Sequence, residues 1–133
     1  MFVKKQGLGD TVLPWDDENS NNDNYSKTLV GIGICHCGPG SEPGSNTCNI
    51  KFGAVKPGPI AGNNFDKLLD ACEGFAAEER LSDIVAGVNT GRYEAYRKML
   101  ARGFQSDILG IAMQRYSDSG YNKHSICLID DWR

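Results

Sequence analysis

Between residues 49 and 88 the hydrophobic period changes twice, and no other feature of the chain constrains its fold as much. Residues 49–55 (NIKFGAV) alternate, with Ile50, Phe52 and Ala54 on one face, the period of a half-buried strand. The run stops at Pro57-Gly58-Pro59. From Phe65 the apolar positions Phe65, Leu68, Leu69, Cys72, Phe75 and Ala76 recur at helical spacing, with Asn63 or Asn64 placed to cap the helix and Asp66 in its first turn. Residues 83–88 (DIVAGV) then form a short continuous apolar run, as expected of a strand covered on both faces in a parallel arrangement. Strand, helix and strand in this order imply a crossover in an α/β layer.

The flanking stretches extend that layer. Residues 28–37 (TLVGIGICHC) are apolar and β-branched and end at Gly38-Pro39-Gly40, which predicts a strand antiparallel to 49–55. Residues 90–102 predict a second helix with Tyr93, Tyr96 and Leu100 on its core stripe, stopped by Gly103. Residues 109–113 and 125–129 predict two further strands around the polar turn 117–123. Residues 16–26 (DDENSNNDNYS) have nothing to bury, so 1–27 read as a polar, partly disordered segment and 28–133 as the α/β domain.

At 133 residues, 40% of them hydrophobic, the chain is long enough for one domain with a real core. Fourteen Lys and Arg against seventeen Asp and Glu leave no cationic excess, which argues against nucleic-acid and anionic-membrane partners. No apolar run reaches the roughly 18 to 20 residues that span a bilayer, and residues 1–13 lack a hydrophobic signal core, so a soluble, cytoplasmic protein is expected. The odd, dispersed set Cys35, Cys37, Cys48, Cys72 and Cys127 is unlike a disulfide framework, and reduced thiols follow. Cys35-His36-Cys37 invites a metal reading. Strand alternation, however, puts both thiols on one face and His36 on the other, and structural zinc sites usually space their thiols as C-x₂₋₄-C, so core cysteines and no metal site are expected. Domains of this class bind ligands where a strand's carboxyl end meets a helix N-terminus, which points to residues 55–64 and 88–92.

From residue 28 onward, the strand-loop-helix of 49–80 followed by DIVAGVNTGRYEAYRKMLARGF and a strand resembles the carboxyl-terminal two thirds of the GNAT superfamily of acyl-CoA-dependent N-acyltransferases. In that family a strand ends in Val-x-Pro, a loop Arg/Gln-x-x-Gly-x-Gly/Ala wraps the coenzyme A pyrophosphate, and a helix with paired leucines follows. Val55, Pro57, Leu68 and Leu69 match, while the three loop positions hold Ile60, Asn63 and Phe65. Glycines in such a loop let backbone N–H groups close around phosphate at a positive helix end. Phe65 adds bulk there, whereas Gly58 and Gly62 permit a differently shaped loop and Lys56 supplies a charge. The resemblance implies coenzyme A or acetyl-CoA as cosubstrate, held by Val55, Lys56, Pro57, Gly58, Ala61, Gly62, Asn63 and Asn64, with Asn89 and Arg92 on the second loop. A plain strand-to-helix turn is the other reading of the same glycines and prolines.

A second family element runs Asn, Ala three later, Tyr four further on, and Gly-Phe after another four. Anchored on Gly103-Phe104, it meets Ala95 but also Arg92 and Met99; anchored on Asn89, it meets Tyr96, and both registers stand. In the second, the resemblance makes Tyr96 the acid that protonates the departing thiolate and Asn89 the holder of the pantetheine arm. Tyr96 as a core-facing residue is the competing reading. For the base, residues 49–55 offer no carboxylate, Glu42 lies in the loop before them, and His36 and His124 are the only histidines.

The expected fold is thus a GNAT-like mixed sheet of about five strands with two main helices, lacking the usual N-terminal strand-helix-helix portion, for which residues 1–27 are too short and too polar. Either the acceptor site is absent or a second chain completes it, and residues 121–133, an edge strand ending in Trp132, suit a homodimer. Two functions follow. One is transfer of an acetyl group from acetyl-CoA to a small-molecule or peptide amine by direct attack. The other is a non-catalytic GNAT-like dimerisation or ligand-sensing module with weakened or lost coenzyme A binding. A metal or redox protein built on Cys35, His36, Cys37 and Cys48 is weaker, because packing already accounts for the thiols.

Overall fold

The computed structural model describes residues 7–18, 26–111, 113, 115, 116, 123 and 125–131. Its elements in chain order are β1 (Gly9–Val12), β2 (Trp15–Glu18), β3 (Ser26–Leu29), β4 (Gly31–His36), β5 (Thr47–Val55), α1 (Ala61–Glu78), β6 (Asp83–Ala86), α2 (Tyr93–Ala101) and β7 (Leu128–Asp130). The expected α/β class is what folds: a five-stranded, mostly antiparallel sheet with two helices. In the main sheet β1 pairs β4 and β4 pairs β5, all antiparallel. The far edge of β5 is shared: β6 runs parallel to Thr47–Ile50, and β7 runs antiparallel to Phe52–Ala54. A separate hairpin joins β2 to β3.

The strand expected over 28–37 is broken. Val30 is buried, donates its N–H to the Pro14 carbonyl (3.1 Å) and accepts the Lys56 N–H (2.9 Å), so the chain leaves the small hairpin at Leu29 and enters the main sheet at Gly31. The sheet also takes in residues ahead of position 28, because β1 forms its outer edge.

Helix α1 starts at Ala61, four residues before the expected Phe65, and neither Asn63 nor Asn64 caps it; the N-cap is Ile60, without a side-chain hydrogen bond. The backbone supplies the first bonds instead, Ala61 N–H to Gly58 O (3.1 Å) and Asn64 N–H to Ile60 O (3.0 Å). Phe65, Leu68, Leu69 and Cys72 face the sheet as their spacing predicts and pack with Cys35, Cys48, Ile50 and Ile129. A fully buried phenylalanine such as Phe65 contributes roughly 2 to 3 kcal/mol of hydrophobic stabilisation.

Strand β6 is an edge rather than a strand covered on both faces: Ile84 and Ala86 turn inward while Asp83 and Val85 are exposed. On α2 the inward stripe is Ala95 and Met99, not Tyr93, Tyr96 and Leu100; Tyr93 and Leu100 face solvent, and Tyr96 is half-buried. The stripe is turned because polar contacts hold α2 against α1. Arg102 bonds Glu73 (2.8 Å) and Asp70, and Lys98 bonds Asp66 (2.6 Å). Of the strand expected over 109–113, the described residues are exposed and in no strand; that expected over 125–129 is shorter and later, as β7. Most of the turn 117–123 lies outside the described residues.

Candidate functional site

The two loops singled out by sequence follow β5 and β6. Val55 ends β5, and Lys56, Pro57, Gly58, Pro59 and Ile60 form an exposed loop in which Gly58 has φ +138° with open space around it. At the next turn the exposure ends. Ala61 is buried, and Gly62 lies so close to α2 that a Cβ built on it would collide with Glu94 Oε1 and stand 2.8 Å from Lys98 Cε. The Gly62 backbone is therefore used for helix–helix approach, and a carboxylate already lies against the first turn of α1, where the positive helix end favours an anion. Asn63 is exposed, while Asn64 is 1% exposed and its Oδ1 has no hydrogen-bond partner among the described residues. Phe65 does not crowd the loop from outside. It points into the core.

After β6, Asn89 stabilises its own turn: its side-chain Oδ1 accepts the Gly91 N–H (2.8 Å), and its carbonyl accepts the Arg92 N–H (2.9 Å). Arg92, 4% exposed, directs Nη1 to Asp130 Oδ1 at 2.8 Å. Both residues expected to face a ligand thus serve the fold in this structure. Tyr96 follows on α2 with its N–H bonded to Arg92 O (3.1 Å).

Strand β7 lies between these two loops. Besides pairing Phe52–Ala54, it donates the Asp130 N–H to Gly87 O (3.1 Å), and the next residue donates the Asp131 N–H to Lys51 O (3.3 Å). A Cβ on Gly87 would stand 2.5 Å from Asp130 O, so only glycine admits β7 at this distance. Just ahead of β7, Cys127 is buried; burial first, with the nearby Glu94 and Asp66 carboxylates, pushes its thiol up to about 11, and Lys98 acts in the opposite sense. A ligand arm running from the first turn of α1 toward Asn89 would have to cross the edge of β5 beyond Ile50, and β7 holds that edge.

The remaining candidates are dispersed. Glu42 binds Lys51 (2.9 Å), a bond that is the main cause raising the Lys51 ammonium above its ordinary value. Lys51 also reaches the Asp131 carboxylate (3.4 Å), whose side chain is 3% exposed and accepts a bond from Asn49 Nδ2 (3.1 Å). His36 ends β4, half-buried; His124 and Trp132 lie outside the described residues. Cys35, Cys37, Cys48 and Cys72 are buried free thiols. Cys48 is pushed well up, first by its hydrogen bond with Cys35 and then by burial. Among the described residues no group of three or more His, Cys, Asp or Glu could hold a metal ion, and no helix is long and apolar enough to cross a membrane.

Comparison with family models, with curated proteins and with solved structures returns no match to this chain.

Sequence reasoning missed Glu94, Lys98, Gly87 and Asp130. One signal was present, since Glu94 and Lys98 are an i, i+4 acid–base pair. Gly87 and Asp130 carried none, because they lie far apart in sequence and meet only once β7 has joined the edge of β5.

Proposed function

We propose that this domain is a non-catalytic α/β module of GNAT-like architecture that acts through assembly and does not use coenzyme A as a cosubstrate. The observation that carries this reading is the position of β7, bonded on one side to Phe52–Ala54 and on the other to Gly87, across the path a pantetheine arm would take. The Glu94 and Lys98 side chains against Gly62 support it independently, since a pyrophosphate brought to that helix end would have to displace them and would meet the Glu94 carboxylate. Coenzyme A does not fit the residues present. The free, buried thiols suit a reducing, cytoplasmic setting.

The alternative is an N-acetyltransferase acting on an amine, with Tyr96 as acid; the exposed loop 56–60 with Lys56 and Gly58 is what favours it. That reading requires β7 to leave its edge. Calorimetric titration of the purified chain with acetyl-CoA and with free coenzyme A separates the two. No binding at millimolar coenzyme is expected, and micromolar binding would overturn the proposal in favour of the enzyme.

A further inference from the structure

Residues 107–115 read DILGIAMQR. Leu109, Ile111 and Met113 recur at the period of a strand and are 79%, 88% and 90% exposed, although no described residue of this stretch belongs to a strand. Large apolar side chains at regular spacing on the surface mark a surface made to be covered. What covers them is indicated by the sequence itself, which complements itself when run in the opposite direction.

We propose that residues 107–115 pair with the same residues of a second copy of this chain, as antiparallel strands about a two-fold axis through Ile111. This register sets Leu109 opposite Met113, Ile111 opposite its own copy, and Asp107 opposite Arg115, so the two-fold closes with one acid–base pair at each end. Asp107 and Arg115 are both exposed. Moving the axis by one residue either way sets Asp107 against Met113 or Arg115 against Leu109, so charge complementarity selects the register. A two-stranded ribbon is marginal by itself, and the dimer is accordingly weak, with a micromolar dissociation constant. The inference rests on the assembly half of the function proposed above and not on the coenzyme half: its test reads mass and cross-linking, whereas that one reads coenzyme binding.

Sedimentation velocity over a low to high micromolar series is expected to show a monomer–dimer equilibrium approaching twice the 14.5 kDa chain mass. Asp107→Arg sets like charges together at both ends and is expected to weaken the dimer about tenfold, and adding Arg115→Asp restores it. Ile111→Cys, on the axis, cross-links to itself under diamide oxidation, while Tyr116→Cys, five residues off the axis, does not. All of these positions are exposed, so circular dichroism is expected to stay that of the wild type. A chain that remains monomeric across the series, an Asp107→Arg variant that dimerises like the wild type, or a Tyr116→Cys variant that cross-links as readily as Ile111→Cys would overturn the proposal.

Discussion

Along the far edge of β5, Thr47–Ile50 pairs with β6 and Phe52–Ala54 with β7, whereas residues 107–115 carry a strand's apolar period but none of their described residues belongs to a strand. Both stretches have the side-chain alternation that makes a strand. They differ in whether an edge with free backbone groups is within reach. At β5 the chain returns to fill its own edge, and this closes the place where a strand end and a helix N-terminus would otherwise receive a ligand. At 107–115 the described residues show no such edge, and in the proposed dimer the second copy supplies it. In the proposed function the filled edge is what keeps coenzyme A out, and in the proposed dimer the exposed stretch is what a second copy covers.

The largest effect that sharpens this contrast is expected from Phe65→Ala. The side chain is in the core beneath the filled edge, and its loss is expected to cost about 3 to 5 kcal/mol in chemical denaturation without creating coenzyme binding. If Phe65 instead plugged an external loop, the same change would be cheap and would open the site. Arg92→Met comes next. It leaves Asp130, 17% exposed, without its 2.8 Å partner, and a cost of about 3 kcal/mol is expected, together with faster amide exchange in β7.

Alkaline titration follows in size. The Cys127 thiol is raised from its ordinary value of 9.0 to about 11, so the folded state holds this proton longer than the unfolded one. Its contribution is fully present below pH 9 and is lost as pH rises from about 9 to about 11, at roughly 1.4 kcal/mol per pH unit for one proton. Cys35 and Cys48 shift in the same direction and prolong the fall above that window. Urea midpoints measured from pH 8 to 11 are expected to decline, less steeply for Cys127→Ala. The smallest effect is on the other side of the comparison: Ile111→Lys is expected to leave chain stability within about 0.5 kcal/mol while abolishing self-association.

Much of the central unit was legible because it rests on local period. Alternation over 49–55, the spacing of Phe65, Leu68, Leu69 and Cys72, and the apolar run from residue 83 each specify an element before any tertiary contact forms. What misled was tertiary in origin. Val30 interrupts an unbroken apolar run because the Pro14 carbonyl and the Lys56 N–H claim its backbone. The stripe on α2 turned because Lys98 and Arg102 are held by Asp66, Asp70 and Glu73 on α1, an attraction that hydrophobic periodicity does not register. The candidate site suffered most. Gly62 has the residue type of a phosphate loop and the environment of a helix crossing, and Arg92 has the charge of a phosphate clamp and an ion-pair partner in Asp130. Residue type was readable in one dimension, but the identity of each partner was not.

The measurement closest to the central claim is amide hydrogen exchange at Asp130 and Asp131, whose N–H groups donate to Gly87 O and Lys51 O, recorded with and without millimolar acetyl-CoA. If β7 holds the edge of β5, both amides exchange slowly and neither their rates nor their chemical shifts respond to acetyl-CoA. Rapid exchange at both, or marked perturbation on adding acetyl-CoA, would mean that the edge is open to a ligand and would contradict the account.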